Sequence, residues 1–268
     1  MIRLPAVAGQ FYPADGGELR SLIADLSSPA ADVQPYRALA AIVPHAGYVY
    51  SGAVAAQTFK RLDIPSQVVV IGPNHHGTGA DLALMREGSW RMPMGEVNIN
   101  SALADNLLSG GVFSADYTAH VPEHSLEVQI PFLQYFAAEL EIVPICASYI
   151  TYEECRRAGE ELARVIKAWP QPVLMVASTD MTHYESRNIA GRKDRLALEC
   201  IENLDSEALY STVIREKISM CGFIPVTIVL TAAVLLGASR AELVRYSDSG
   251  EVSGDIGQVV GYAGLVVS

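Results

Sequence analysis

Short apolar runs alternate along the chain with longer segments in which apolar residues recur at helical spacing. This alternation is typical of α/β proteins, in which helices cover a sheet. Because the short runs are apolar at successive positions, they predict strands that are buried on both faces. The predicted strands are ALAAIVP (38–44), QVVVIGP (67–73), EIVPICAS (141–148), PVLMVAS (172–178) and GQVVGYAGLVV (257–267).

The segments with helical spacing predict amphipathic helices. In the third of them, Ala158, Leu162 and Val165 share one face, while Glu and Arg residues occupy the other, as expected for a helix that covers a sheet. The predicted helices are GELRSLIADLSS (17–28), SGAVAAQTFKRL (51–62), TYEECRRAGEELARVIKAW (151–169), IAGRKDRLALECIENL (189–204) and FIPVTIVLTAAVLLGA (223–238).

The last of these segments is the most apolar of the chain. It contains Pro225 and two threonines and is shorter than the roughly 20 residues that a membrane-spanning helix needs, so it predicts a buried core helix. The segment 27–35 (SSPAADVQP) predicts a loop between the first helix and the first strand, because the composition is similar on both sides of it. Since the chain has no internal repeat and no convincing linker, it is predicted to form a single domain (1–268), a three-layer α/β/α sandwich with a mostly parallel or mixed sheet.

The composition predicts a large core and makes some classes of binding partner improbable. Apolar and aromatic residues make up 50% of the chain, which predicts a sizeable core, and 30 acidic against 19 basic residues give a net charge of -11, which disfavours nucleic acid. The amino-terminal stretch shows no charged segment followed by an apolar one, and the 4 cysteines are not closely paired. We therefore expect a cytoplasmic protein without a secretory signal and without nucleic-acid or membrane partners.

Histidines follow directly on predicted strands. His45 follows the first strand, His75 and His76 follow the second in IGPNHHGTGA (71–80), and His183 follows the fourth. In open α/β sheets, ligands bind outside the carboxyl ends of the strands, so these side chains are expected to share one crevice. A lone histidine in a loop is weak evidence, however, and His45 taken singly is equally compatible with an ordinary polar loop.

The adjacent histidines have a competing interpretation. Asn74 and Gly77 suit a turn, in which His75 and His76 would be incidental. Because neighbouring side chains point in different directions, only one of the two imidazoles is expected to bind a metal directly.

Three further segments carry candidate chemistry. In STDMTHY, Asp180 can orient His183 and raise its basicity, or it can cap a helix. In VPEHSLEVQIPF, Glu123 precedes His124, which would share a helical face with Glu127, although a polar loop that leads into a helix fits equally well. His120 is not expected to form a helical zinc pair with His124, because a proline lies between them.

Cys221 precedes the long apolar helix. A helix amino terminus lowers the pKa of a thiol, which would make this cysteine a thiolate and therefore a ligand or a nucleophile. The other cysteines, Cys146, Cys155 and Cys200, lie within predicted strands or helices and are interpreted as structural residues. The sequence has no GxxxxGK[ST] loop, no GxGxxG after the first strand, no GxSxG and no HExxH, so no nucleotide cofactor is expected.

Six motifs occur in order along the chain: AVAGQFYPAD, PHAGYVYSG, GPNHHG, EHSLEVQIPFL, STDMTHY and CGFIP. Together they resemble the Memo family, also called AmmeMemoRadiSam system protein B, over almost the whole chain. The resemblance implies a fold similar to the class III extradiol ring-cleavage dioxygenases of the LigB type. Those enzymes hold Fe(II) with two histidines and a glutamate and use a further histidine as acid and base.

The resemblance also assigns residues. By motif, His45 and His75 match the metal-binding histidines, Cys221 matches the third ligand of the Memo family, and His183 matches the acid/base histidine, with Asp180 beside it. Four other residues are expected behind the metal ligands or in the substrate pocket, namely Asn74, His76, Glu123 and His124. Because a soft thiolate replaces a hard carboxylate, metal preference shifts toward copper or other soft-tolerant ions, and ring cleavage does not follow from the fold.

The resemblance to the Memo family implies copper or iron binding and redox activity. For the animal members it also implies signalling and peptide binding. For the bacterial and archaeal members it implies radical-SAM and AMMECR-type protein partners. Our first hypothesis is a metal-dependent oxidoreductase that holds one Fe(II) or Cu ion, or Zn, and acts on a small substrate. The second is a non-catalytic module that binds a peptide or protein in the same pocket. The third is zinc-type hydrolysis, which oxygen-dependent activity would argue against because Zn is redox-inert.

Overall fold

The computed structural model describes residues 1–28 and 34–268, so most of the predicted loop at 27–35 lies outside the described residues. The helices are α1 (Gly16–Ser27), α2 (Tyr48–Phe59), α3 (Ser101–Leu108), α4 (Ile130–Phe136), α5 (Tyr152–Ala168), α6 (Arg187–Glu202), α7 (Ser206–Arg215), α8 (Phe223–Leu235) and α9 (Gly250–Ser253). Short 3-10 helices cover Thr118–His120 and Glu127–Gln129.

The strands lie in one mixed sheet. They are β1 (Ile2–Arg3), β2 (Ala40–Val43), β3 (Gln67–Pro73), β4 (Leu82–Leu84), β5 (Ser89–Met92), β6 (Gly95–Ile99), β7 (Ser114–Ala115), β8 (Glu141–Ala147), β9 (Val173–Ser178), β10 (His183–Glu185), β11 (Ala241–Asp248) and β12 (Val259–Val267).

The centre of the sheet is parallel. Strands β8, β3, β9 and β2 lie side by side in that order, with Gln67 opposite Glu141 and Pro73 opposite Ala147 along the β3–β8 pair. The antiparallel strand β12 pairs with β2 on one side, and the β5–β6 hairpin joins β8 through β6 on the other. Because β3, β9 and β2 are parallel neighbours, their carboxyl ends meet at one edge of the sheet.

Helices cover both faces of this sheet. Along β3, Val69 and Ile71 pack into a core with residues of α3, α5, α6, α7 and α8, whereas Val68 and Val70 pack into a second core with residues of α1, α2 and α4. Alternate side chains of a strand point to opposite faces, so a strand between two cores is apolar at every position. The predicted three-layer α/β architecture is therefore confirmed.

The long apolar segment forms a core helix, as predicted. Helix α8 covers Phe223–Leu235, and most of its side chains are buried against α5, α7 and the sheet. Within 1–28 and 34–268, no helix combines the length and the apolarity that crossing a bilayer requires.

The contact between α5 and α8 depends on a glycine. A Cβ at Gly159 would lie 2.6 Å from Thr231 Cβ and 2.8 Å from the Ile228 carbonyl oxygen, so a methyl group there would push the helices apart. We expect Gly159→Ala to lower the free energy of unfolding by about 1–3 kcal/mol, measured by urea denaturation. The matched variant Gly191→Ala on α6, where no atom lies within 4 Å of the new Cβ, should raise it by about 0.5–1 kcal/mol. Equal shifts in the two variants would contradict this account.

Candidate metal centre

Three potential metal ligands converge at the carboxyl edge of the central strands. His45 follows β2, His75 follows β3, and Cys221 precedes α8, which packs on the neighbouring strands. One donor atom from each of these side chains lies within 4.8 Å of the others. The structure thus brings together residues that were assigned to one metal site from three distant motifs.

The His45 ring is buried and held on both sides. Its Nδ1 lies 2.9 Å from Ser178 Oγ, and its Nε2 lies 3.2 Å from Cys221 Sγ. The backbone N–H of His45 donates to Asp180 Oδ1 at 2.8 Å. Burial, and then the nearby His75 and His124, hold the pKa of His45 well below its ordinary value, so the ring is neutral at pH 7.

The His75 ring is held by a buried carboxylate. Its Nδ1 donates to Glu123 Oε1 at 2.9 Å, and its backbone N–H donates to Glu123 Oε2 at 2.7 Å. Burial would raise the pKa of Glu123, but the hydrogen bonds from His75 and from the Ser125 N–H outweigh it and hold the pKa well below its ordinary value. A charged carboxylate behind Nδ1 leaves the other nitrogen of the His75 ring free for a ligand, an arrangement common at metal-binding histidines.

The surroundings of Cys221 favour the neutral thiol. Burial, and then the Asp180 carboxylate, raise its pKa well above the ordinary value. The thiolate that the helix amino terminus was expected to produce is therefore not favoured, because desolvation outweighs the effect of α8. A bound cation would reverse this balance, since a coordinating thiol loses its proton.

Asp180 and His183 lie close together in sequence but have different partners. The Asp180 carboxylate accepts the backbone N–H of His45, and burial raises its pKa to about 6 against the opposing effect of that hydrogen bond. The His183 ring is held by Ser219, whose carbonyl oxygen accepts from Nδ1 at 2.9 Å. The group that orients His183 is therefore Ser219, where the sequence suggested Asp180.

The loop after β3 forms a turn and also places a histidine at the candidate metal site, so the two interpretations of its sequence are compatible. Asn74 Oδ1 accepts the Gly77 N–H at 2.9 Å, and Asn74 Nδ2 donates to the Thr78 carbonyl oxygen at 2.8 Å, while Gly77 adopts a φ of +61°. These contacts fix the turn. The turn aims His75 at His45 and Cys221, and both His75 and His76 are exposed to solvent.

His124 forms a wall of the pocket. Its ring stacks on His75 with a centroid distance of 4.8 Å and meets the Phe11 ring edge-on at 5.0 Å. Of the two interpretations of this segment, the structure has the polar loop and not the helical pair of His124 with Glu127, because His124 precedes the 3-10 helix and Glu127 binds Arg3. His120 is also separate from the site, since its Nε2 donates to the Ala83 carbonyl oxygen at 3.1 Å.

A second group of possible ligands overlaps the first. His75, Glu123 and His124 also place donor atoms within 4.8 Å of one another. Both Glu123 oxygens already accept N–H groups, one from the His75 backbone and the other from the His75 ring and the Ser125 backbone. This group therefore supports the His75 ring, and the donor set that fits a metal is the two imidazoles with the Cys221 sulfur. Such an N/N/S set suits Fe, Cu or Zn.

Three residues that contact the site were not predicted from the sequence. Ser178 ends β9 and could have been found by the same strand-end rule that selected the histidines. Ser219 and Gln129 gave no such signal, because their roles depend on hydrogen bonds to distant parts of the chain.

Comparison with known proteins places the chain in a family. A family model described as Memo-like protein matches residues 3–266. A MEMO1 family protein of Methanopyrus kandleri is 44% identical, with 99% of each chain covered. A MEMO1 family protein of Aquifex aeolicus is 40% identical, with 99% of this chain and 98% of the relative covered, and one of Methanosarcina barkeri is 40% identical, with 99% and 100% covered. The ordered motifs, the fold and these matches agree, and the chain belongs to the Memo family.

Proposed function

We propose that this protein holds one transition-metal ion between His45, His75 and Cys221 and uses it for redox chemistry on a small substrate. The observation that carries the proposal is the convergence of three donor atoms within 4.8 Å at the carboxyl edge of the sheet. This edge is the usual position of ligand sites in open α/β sheets. The two imidazoles are already oriented by Ser178 and Glu123, so little rearrangement is needed for binding.

Fe(II) and Cu are the ions that we assign to this site. A thiolate beside two imidazoles favours soft-tolerant metals, and three protein ligands leave positions open for a substrate. When bound, such an ion supplies Lewis-acid and one-electron chemistry that the side chains alone lack.

Two residues of the chain are assigned to proton handling and positioning. Because His183 Nδ1 donates to the Ser219 carbonyl oxygen, its Nε2 carries the lone pair and is available to accept a proton from a substrate. Asp180 acts through its neighbours, since its carboxylate accepts the His45 backbone N–H and its own backbone N–H donates to Cys221 Sγ at 3.3 Å. Asp180 therefore fixes the segment after β2 relative to the cysteine.

Metal analysis tests the site itself. Untagged protein is loaded anaerobically with Fe(II), Cu(I) or Zn(II) and desalted. It should retain one ion per chain, measured by inductively coupled plasma mass spectrometry. His75→Ala and Cys221→Ala should abolish this retention, whereas Cys200→Ala, which removes a cysteine on α6, should not. Metal content that is unchanged in Cys221→Ala would refute the proposed centre.

The kind of chemistry needs a separate measurement. Oxygen consumption with a panel of small reductants and catechols should depend on Fe or Cu and decrease strongly in His183→Ala. Hydrolytic turnover that requires Zn and proceeds without oxygen would contradict the redox proposal. Partner binding that survives loss of all three ligands, with no turnover in any assay, would favour a non-catalytic binding module.

A further inference from the structure

The Ser178 hydroxyl lies at the centre of a buried set of hydrogen bonds beside the metal centre. Its Oγ is 2.7 Å from the Ser125 carbonyl oxygen, 2.8 Å from Gln129 Nε2 and 2.9 Å from His45 Nδ1. Ser178 and Gln129 are fully buried. Because water does not reach this set, each proton in it must be supplied by one of these groups.

Counting protons fixes the direction of each bond. A serine hydroxyl has one proton, and a carbonyl oxygen can only accept, so the Ser178 proton goes to Ser125. The Gln129 amide nitrogen can only donate, and its second proton goes to the Pro44 carbonyl oxygen at 2.8 Å, which fixes the orientation of the amide. Ser178 therefore receives protons from both Gln129 and His45.

The opposite arrangement takes the hydroxyl donor away from the Ser125 carbonyl oxygen. If His45 Nδ1 had no proton, Ser178 would have to donate to it, and the buried Ser125 carbonyl oxygen would lose its hydroxyl donor. Among the described residues, Gln129 Oε1 is already a buried acceptor without a hydrogen-bond partner, and a second such acceptor in the same set is rarer still in native proteins. The proton on His45 is thus assigned to Nδ1, and the lone pair to Nε2, which faces Cys221 Sγ at 3.2 Å.

We propose that Ser178 is a positioning residue that holds His45 in the tautomer with its proton on Nδ1 and thereby presents Nε2 to the metal. The ligand role of Nε2 rests on the proposed function, whereas the tautomer is a property of the metal-free protein. His75 is held in the same way by Glu123, so the two imidazoles reach the site in matching tautomers through different partners, a hydroxyl and a carboxylate.

NMR spectroscopy of the metal-free protein tests the tautomer directly. Long-range proton–nitrogen correlation spectra of protein labelled with 15N-histidine distinguish a protonated ring nitrogen from a bare one, and the chain has only 6 histidines to assign. We expect His45 Nδ1 to be protonated and Nε2 to be bare. A wild-type spectrum with the proton on Nε2 would overturn the proposal, whether or not any variant folds.

Zn(II) affinity tests whether this tautomer of His45 promotes metal binding. In Ser178→Ala, the wild-type tautomer should no longer dominate and Zn(II) affinity, measured by chelator competition, should fall about 10–100-fold. Ser89→Ala is the matched control, because it also removes a buried strand hydroxyl, whose only described partner is Glu96. Wild-type affinity in Ser178→Ala, or an equal loss in Ser89→Ala, would overturn the positioning role. Wild-type protein that shows the expected tautomer and binds no metal would refute the metal site while supporting the tautomer.

Discussion

Replacement of Glu127 by Gln should lower the free energy of unfolding by about 3–5 kcal/mol, because it breaks a buried ion pair and leaves the buried arginine charge without a carboxylate partner. Glu127 is 0% exposed and its Oε2 accepts from Arg3 Nη1 at 2.7 Å. Its two oxygens also accept the N–H groups of Ala6 and Val7 and the Tyr12 hydroxyl, which lies at 2.6 Å. A glutamine has one acceptor oxygen for these four donors and places an N–H group against some of them.

Urea denaturation measures this loss, with Glu153→Gln as the control. Glu153 pairs with Arg156 on the surface of α5 and is 62% exposed, so its replacement should change stability by no more than about 1 kcal/mol. Similar losses in the two variants would show that the buried cluster contributes no more than a surface pair. The Arg3 side chain makes a large loss the expected result, since it also lies 4.1 Å from the Trp90 ring centroid and has no route to solvent.

The second large effect concerns metal affinity. Replacement of Glu123 by Gln should weaken metal binding about 10–100-fold, because groups that orient a ligating imidazole have effects of this size. Glu123 accepts the ring N–H and the backbone N–H of His75 and the backbone N–H of Ser125. A glutamine with a single acceptor oxygen releases at least one of these groups, and the neutral amide makes the ring a weaker electron donor.

Chelator competition with Zn(II) measures this effect without any assumption about the reaction. Glu160→Gln, the same change at an exposed position on α5, should leave the affinity unchanged. A Glu123→Gln protein that is folded by circular dichroism and binds Zn(II) as tightly as wild type would contradict the role of Glu123. It would also show that the second oxygen of the carboxylate is dispensable for the His75 ring.

The central strands could be predicted from the sequence because both of their faces are buried, and such burial gives an unbroken run of apolar residues. The bounds of β3 agree with the prediction, since each residue of QVVVIGP is buried on one face or the other. The β5–β6 hairpin and α3 were not predicted. A strand of four residues or a helix of eight is too short to show its period clearly, and such elements are stable mainly through contacts with the rest of the domain.

Helix ends were harder to place than helices. Helix α2 begins at Tyr48, earlier than predicted, because the buried Tyr48 ring packs against Tyr12 and Phe132 and extends the apolar face toward Gly47. The helix that was considered for His124 begins only at Ile130. Pro131 in its first turn has no N–H to bond a carbonyl one turn earlier, so an α-helix through the preceding residues would lose that hydrogen bond.

The candidate ligands could be predicted from the sequence, but the groups that orient them could not. His45, His75 and Cys221 belong to residue types that bind metals and lie next to predicted elements, so type and position together selected them. Ser178 is a common residue, and its role follows only from a hydrogen bond across 133 positions of the chain. Roles of this kind arise from tertiary geometry and have no local pattern.

The same long separations have a consequence for biosynthesis. His45 and Cys221 are 176 positions apart, so the complete ligand set cannot assemble until the ribosome has made most of the chain and α8 has begun to pack on the sheet. Contacts between such distant segments form slowly, because a long loop must close before they contribute to stability. In the proposed metal centre, a nascent chain would offer its histidines before its sulfur, so stable metal loading is expected to be late and largely post-translational.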